Sequence, residues 1–130
     1  MVGIVLVSHS PKIAEGILEL VLQMAPDYKK IVACGGTSDG EIGTDPVAIM
    51  TGIQQVNDND GVVILVDIGS AIMSAEMALE LLEGENLSKI IVADGPIVEG
   101  ALNAAVSASI GSLFEDVIGA VEDARTLSKL

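Results

Sequence analysis

His9 is the one histidine among 130 residues, and its setting suits nucleophilic chemistry. It stands with Ser8 and Ser10 directly after the apolar run of residues 3–7. Pro11 follows, a residue at home in the first turn of a helix, with Ser10 placed to cap it. A neutral imidazole nitrogen can attack phosphorus near pH 7 without first losing a proton. A helix N-terminus beside it offers free N–H groups and the positive end of a dipole to an incoming anion. The same position also suits a solvated histidine in a loop that caps a helix.

Two further groups fall where a phosphoryl chemistry would use them. Asp67 closes the apolar run of residues 62–66. It can accept a hydrogen bond from the second imidazole nitrogen, fixing the tautomer and making the attacking nitrogen more basic, as carboxylates do behind metal-bound histidines. An aspartate there also commonly starts a turn or caps a helix. A strand-end carboxylate is open to water, so replacing Asp67 is expected to affect transfer more than folding. Next, Gly69, Ser70 and Ala71 can offer backbone N–H groups and a hydroxyl to a phosphoryl group, with glycine allowing close approach. Plain helix capping would use the same residues.

Thr37, beside Gly36 in the glycine-rich stretch 35–44, can line the same mouth. That stretch has neither G-x-G-x-x-G nor G-x-x-x-x-G-K-[ST] spacing, so neither a dinucleotide fingerprint nor a P-loop is present. One histidine and one cysteine, Cys34, leave no metal-ligand cluster, and no metal or other cofactor is expected.

Something must hold these residues together. Residues 3–7, 30–34, 62–66 and 89–93 are nearly continuous apolar runs, the pattern of strands buried on both faces. Helical stripes lie between them: Ile13, Ile17 and Val21 with Met24 or Ala25; Ile49, Ile53 and Val56 behind Asp45 and Pro46; and Ile72, Ala75, Leu79 and Leu82. After Pro96 come Ala101, Ala104, Ala105 and Ala108, a stripe suited to a two-fold helix contact or to packing on the chain's own sheet. Ser112 with Glu115 resembles a capping box before Val117, Val121 and Ala124. The alternation predicts one α/β domain over residues 1–130. Its form is a three-layer sandwich, a central four-stranded mainly parallel sheet flanked by helices. Ligands in such sheets gather beyond the carboxyl ends of the strands, where His9, Thr37 and Asp67 fall.

A net charge of −13 and only two aromatic residues, Tyr28 and Phe114, argue against nucleic acid and anionic membranes as partners. They favour a partner with a basic patch. Residues 2–7 are too short and lack the basic start of a signal peptide, and no stretch approaches the roughly 18 apolar residues of a membrane span. With a lone cysteine, a cytoplasmic location is expected.

The segments VLVSHS, EIGTD, VDIGSAIMSAE, GPIVEG and AAVSAS resemble the mannose-type IIA family of the phosphoenolpyruvate-dependent phosphotransferase system. The resemblance covers nearly the whole chain. SHS after a strand is weak alone, whereas DIGSA followed in register by SAE is specific. Within the family, the chain is similar to the phosphotransfer subunits of dihydroxyacetone kinase. The resemblance implies that Nε2 of His9 takes a phosphoryl group from the carrier HPr and that Asp67 contacts this ring. It implies transfer to ADP held on the subunit DhaL, and from the resulting ATP to dihydroxyacetone bound on DhaK. It also implies a homodimer.

Sugar-transporter members carry an edge strand exchanged between subunits where residues 113–124 here have a helical pattern. No IIB segment is expected to follow. Both features point to the kinase branch. The alternatives are a IIA component that hands phosphate to a IIB protein of a sugar transporter, and a non-catalytic binding or regulatory module in which His9 only caps a helix. The destination of the phosphate separates the first, and acid-labile, alkali-stable phosphorylation of His9 separates the second.

Overall fold

Four strands, β1 (Gly3–Ser8), β2 (Ile31–Gly35), β3 (Val62–Val66) and β4 (Ile90–Val92), form one sheet in the order β2-β1-β3-β4. Every pair is parallel. This is a computed structural model, and it describes residues 1–82, 84 and 86–130. Helices α1 (Pro11–Met24), α2 (Pro46–Val56), α3 (Ala71–Leu81), α4 (Ile97–Ser109) and α5 (Phe114–Asp123) cover both faces, giving the expected three layers.

The continuous apolar runs follow from this coverage. In β1, Ile4 and Leu6 pack with α1, α4 and α5, while Val5 and Val7 pack with α2 and α3. In β3, Val63 and Leu65 take the first face and Val62 and Ile64 the second. Neither central strand has a face free for water, so neither shows a polar alternation.

The topology also locates the site. The chain steps from β1 to β2 by α1 on one face, then returns across β1 to β3 by α2 on the other. The loops after β1 and β3 therefore diverge to opposite faces and leave a crevice between neighbouring strands. Val7 and Val66 are register partners, and the Asp67 N–H donates to the Val7 carbonyl at 3.1 Å. Residues 9 and 67 are thus brought side by side by strand pairing alone.

The starts of α1 and α2 are as expected. Ser10 Oγ accepts from the Ile13 N–H at 3.3 Å, and Asp45 Oδ1 from the Val47 N–H at 3.0 Å, with Pro11 and Pro46 opening the helices. The loop after β2 packs tightly on α1. A Cβ on Gly35 would lie 2.6 Å from the Ser10 carbonyl oxygen. Gly36, at φ +79°, would put one 2.5 Å from Pro11 Cγ. Only glycine fits this approach.

Four sequence expectations need correction in part or whole. Ser112 does not cap α5, whose N-cap is Leu113 without a side-chain bond. Gly111 adopts φ +83° and donates to the Ala108 carbonyl, while the Ser112 N–H donates to that of Ser107. These two bonds close α4 as a Schellman motif, which commits Ser112 to the preceding helix. Of the α3 stripe, Ala75 and Leu82 are buried and Leu79 packs against the same core, but Ile72 is exposed and Ala71 and Ala78 face inward instead, because small residues let the helix sit close to the sheet. On α1, Ile17 and Val21 are buried as expected and Ala14 joins them, while Ile13 is exposed; of the two residues offered for the end of the stripe, Ala25 at the C-cap is buried and Met24 is exposed. The alanine stripe of α4 is wholly buried against the chain's own core, so it is not a two-fold contact surface.

That last point has a direct test. Ala104→Leu should overfill the layer between α4 and the sheet and destabilise the fold by about 1–3 kcal/mol. Denaturant titration would measure it. An unchanged midpoint would mean that the stripe does not bear on a packed layer.

Candidate functional site

Ser8, the last residue of β1, is the one buried polar residue among those described, and its hydroxyl donates to Asp67 Oδ2 at 2.9 Å. The same oxygen accepts the His9 backbone N–H at 2.9 Å. Asp67 Oδ1 accepts the Ile68 N–H at 2.8 Å and lies 3.0 Å from Nδ1 of the His9 ring. One carboxylate thus gathers four donors. Ser8 Oγ in turn accepts the Ser10 N–H at 3.1 Å. The His9 carbonyl accepts from the Gly43 N–H at 2.8 Å, and that of Ser8 from the Gly36 N–H at 3.2 Å. The glycine-rich loop therefore fixes the backbone on both sides of the His9 peptide.

Burial pushes the Asp67 carboxyl up. The hydrogen bonds from the His9 N–H, the His9 ring, the Ile68 N–H and the Ser8 hydroxyl together outweigh burial and hold it below the usual carboxylate range. An ionised Asp67 is an acceptor only, so Nδ1 must carry the ring proton of a neutral His9. Nε2 then keeps its lone pair. Ser70 Oγ lies 2.9 Å from Nε2. The imidazole is held at both nitrogens, with its side chain 21% exposed.

The structure brings His9, Asp67 and Ser70 together as one hydrogen-bonded line. Gly69 is exposed, and the N–H groups of Gly69 and Ser70 meet no acceptor among the described residues, while the N–H of Ala71 already donates to the Ile68 carbonyl at 3.0 Å. Of the three expected cradle residues, Gly69 and Ser70 offer free donors and Ala71 does not. Thr37 is turned to its own loop: its N–H donates to the Glu41 carbonyl, and its Oγ1 accepts the Glu41 N–H at 3.2 Å. Its hydrogen bonds shape the loop that pins His9 and do not reach the ring. Ser8 is the functional residue that sequence reasoning missed. The available signal was a hydroxyl at the buried end of an otherwise apolar strand. Among the described residues, no cluster of histidine, cysteine and carboxylates is arranged to hold a metal ion.

Asp67 also gathers four donors, so its replacement is expected to cost stability as well as transfer. Asp67→Asn cannot accept at both ends, since its amide would face N–H or O–H donors. We expect a stability loss of about 1–3 kcal/mol, the cost of leaving buried donors unpaired. Any phosphorylation of His9 should slow by about 10- to 100-fold, the scale of losing an orienting carboxylate. The carboxyl titrates lower folded than unfolded. Its stabilising contribution is therefore present above the unfolded value near pH 3.9 and is lost as pH falls through the lower folded value. Acid unfolding of the Asn variant should lack that part of the acid limb. An unchanged acid limb with unchanged stability would show that the four hydrogen bonds contribute nothing net.

A family model described as the PTS system fructose IIA component (EIIA-man) matches residues 3–118. The phosphoryl donor subunit DhaM of PEP-dependent dihydroxyacetone kinase 2 from Listeria innocua is 45% identical over 118 residues, covering 91% of this chain and 94% of that protein. The phosphoryl donor subunit DhaM of PEP-dependent dihydroxyacetone kinase from Escherichia coli K12 is 46% identical over 121 residues. There the match covers 91% of this chain and 26% of the relative, so the chain spans about a quarter of its length. Among solved structures, a protein of unknown function matches with a TM-score of 0.87 at 33% identity, over 99% of this chain and 98% of its own. The phosphotransferase system component EIIA from Streptococcus agalactiae matches at 0.69 and 20% identity, over 96% and 92%, a likeness of fold. With the family model spanning all four strands and a DhaM relative matched nearly end to end, the chain belongs to the EIIA-man family of phosphotransferase-system IIA components.

Proposed function

We propose that the chain is a phosphoryl carrier of the dihydroxyacetone kinase system, accepting a phosphoryl group from phospho-HPr on Nε2 of His9. It passes the group to ADP held on DhaL, and the ATP formed there phosphorylates dihydroxyacetone on DhaK. The observation that carries this reading is the bond between Nδ1 and Asp67, which directs the lone pair of Nε2 away from the protein's carboxylate. The DhaM names of the relatives support the kinase branch over a sugar-transporter IIB acceptor.

The chemistry asks little beyond position and charge. The Nε2 lone pair attacks phosphorus, a P–N bond forms, and the donor's own P–N bond breaks with its electron pair returning to the donor ring. The His9 ring becomes cationic while keeping its Nδ1 proton, and the Asp67 carboxylate 3.0 Å away stabilises that charge. The phosphoryl oxygens find the free N–H groups of Gly69 and Ser70. In the second half, an ADP oxygen attacks phosphorus and the bonding pair returns to Nε2, restoring the neutral ring. Such transfers depend on alignment and charge stabilisation. Donor and acceptor are both protein-bound, so they must reach Nε2 at the surface. Ile42 and Ile68, next to residues that hold His9, are 73% and 57% exposed and suit such an approach.

The carrier works in the cytoplasm as a homodimer. Because the α4 alanines are buried, the two-fold contact uses another surface. Among the described residues, no helix is long and apolar enough to cross a membrane.

Incubation with phosphoenolpyruvate, enzyme I and HPr should add one phosphoryl group per chain, labile in acid and stable in alkali. His9→Ala should take none, and labelling that persists in this variant would overturn the assignment. DhaL loaded with ADP should discharge the phospho-form; discharge by a IIB protein instead would move the chain to the sugar-transporter branch. Light scattering at micromolar concentration should give twice the chain mass, and a monomer mass would overturn the dimer.

A further inference from the structure

Ser70 occupies the N-cap of α3 and does not cap it. Its side chain makes no bond to the helix, whereas Ser10 and Asp45 at the N-caps of α1 and α2 both accept from their helices. The Ser70 hydroxyl instead lies 2.9 Å from Nε2 of His9. The direction of that bond is forced by chemistry. Asp67 is ionised and holds Nδ1–H, so Nε2 of the neutral ring has only a lone pair to offer. Ser70 must be the donor. The nucleophilic lone pair is therefore covered by a hydroxyl in the unphosphorylated protein.

That cover must move before Nε2 can bond to phosphorus. A serine hydroxyl changes direction by rotation about its own side-chain torsions between staggered positions. Ser70 is exposed, so nothing packed has to yield. A phosphoryl group on Nε2 would place an anionic oxygen where the hydroxyl can turn to it.

We propose that Ser70 is a positioning residue with two alternate acceptors: its hydroxyl holds and covers Nε2 in the free protein, and donates to a phosphoryl oxygen once Nε2 is occupied. This rests on the carrier reading for its second half and is independent of it for the first. One bond is exchanged for another, so the ring is never left without a partner on this side. The bond to an anionic oxygen is the stronger of the two. Removing the hydroxyl therefore uncovers the free ring and weakens the phosphorylated state.

Both effects can be read, because His9 is the chain's one histidine. Diethyl pyrocarbonate is attacked by an unprotonated imidazole nitrogen. The new N–C bond forms as ethyl carbonate leaves, and the ring proton on Nδ1 is released. Ser70→Ala should raise the rate of His9 carbethoxylation in the unphosphorylated protein by about 2- to 10-fold, the range of a net hydrogen-bond contribution. Ser70→Thr, which keeps the hydroxyl, should bring the rate back toward that of the parent. The increase must persist on the alkaline plateau of the pH profile, where every ring is neutral. A ratio of one or below on that plateau would overturn the cover. In the second arm, Ser70→Ala should lower the equilibrium ratio of phosphorylated to free protein against HPr by about 3- to 10-fold, with Ser70→Thr restoring it. An unchanged ratio would overturn the exchange of acceptors. If the parent protein itself takes no phosphoryl group from HPr, the carrier reading fails, while carbethoxylation still decides whether Ser70 covers Nε2.

Discussion

The Asp67 carboxylate ties together parts of the chain that the sheet brings side by side. Ser8 and His9 come from the end of β1, Ile68 from the turn into α3, and all of them donate to one side chain. The strand pairing of β1 with β3 sets the separation; the carboxylate then converts proximity into a fixed geometry. Each oxygen takes two donors, which is close to the capacity of a carboxylate in a plane. Uncharged, the group would lose acceptor capacity at one oxygen and leave a buried donor facing an O–H. Ionised, it remains an acceptor on every side. The charge is therefore required by the local hydrogen bonding as well as by the ring.

This arrangement explains how a chain with a net charge of −13 can present an anion-accepting site. The negative side chain nearest to His9 is half-buried behind it and saturated with donors. What faces outward is the lone pair of Nε2, the Ser70 hydroxyl and the free N–H groups at the start of α3. Local dipoles govern the contact while the overall charge governs the encounter, favouring a partner with basic surface. Salt should slow that encounter without altering the geometry at the ring.

The strands were legible because both faces of the sheet are covered, which leaves a continuous apolar run in each. Their parallel order then followed from the helices between them. The pairing of His9 with Asp67 came chiefly from the family resemblance, since an aspartate at a strand end is ordinarily a turn or cap residue. Side-chain identities on the helix faces were less legible. On α3 the larger Ile72 was expected inward, but the sheet admits the smaller Ala71, Ala75 and Ala78 and turns Ile72 outward. Ser112 was misread because its sequence spacing says nothing about Gly111, whose left-handed backbone draws it into the end of α4. The bond of Ser8 to Asp67 joins segments far apart in sequence, which no local pattern encodes, whereas Thr37 is drawn away from the ring by bonds to Glu41 within its own loop.

The His9 ring is reached from the surface, its side chain 21% exposed, and the geometry accounts for that. The His9 backbone is held by Asp67 on its N–H side and by Gly43 on its carbonyl side, and the ring is held at both nitrogens. The orientation of the nucleophile is therefore complete before any partner arrives, and enclosure by the protein is not needed to align it. A deep cleft would work against the proposed carrier, which on that reading meets two different protein-bound partners at the same atom. The cost of such rigidity is that an immobile hydroxyl over Nε2 would block the reaction. In the proposed transfer, placing that hydroxyl on an exposed serine confines the required motion to one side-chain rotor and leaves the Asp67 network undisturbed through both halves.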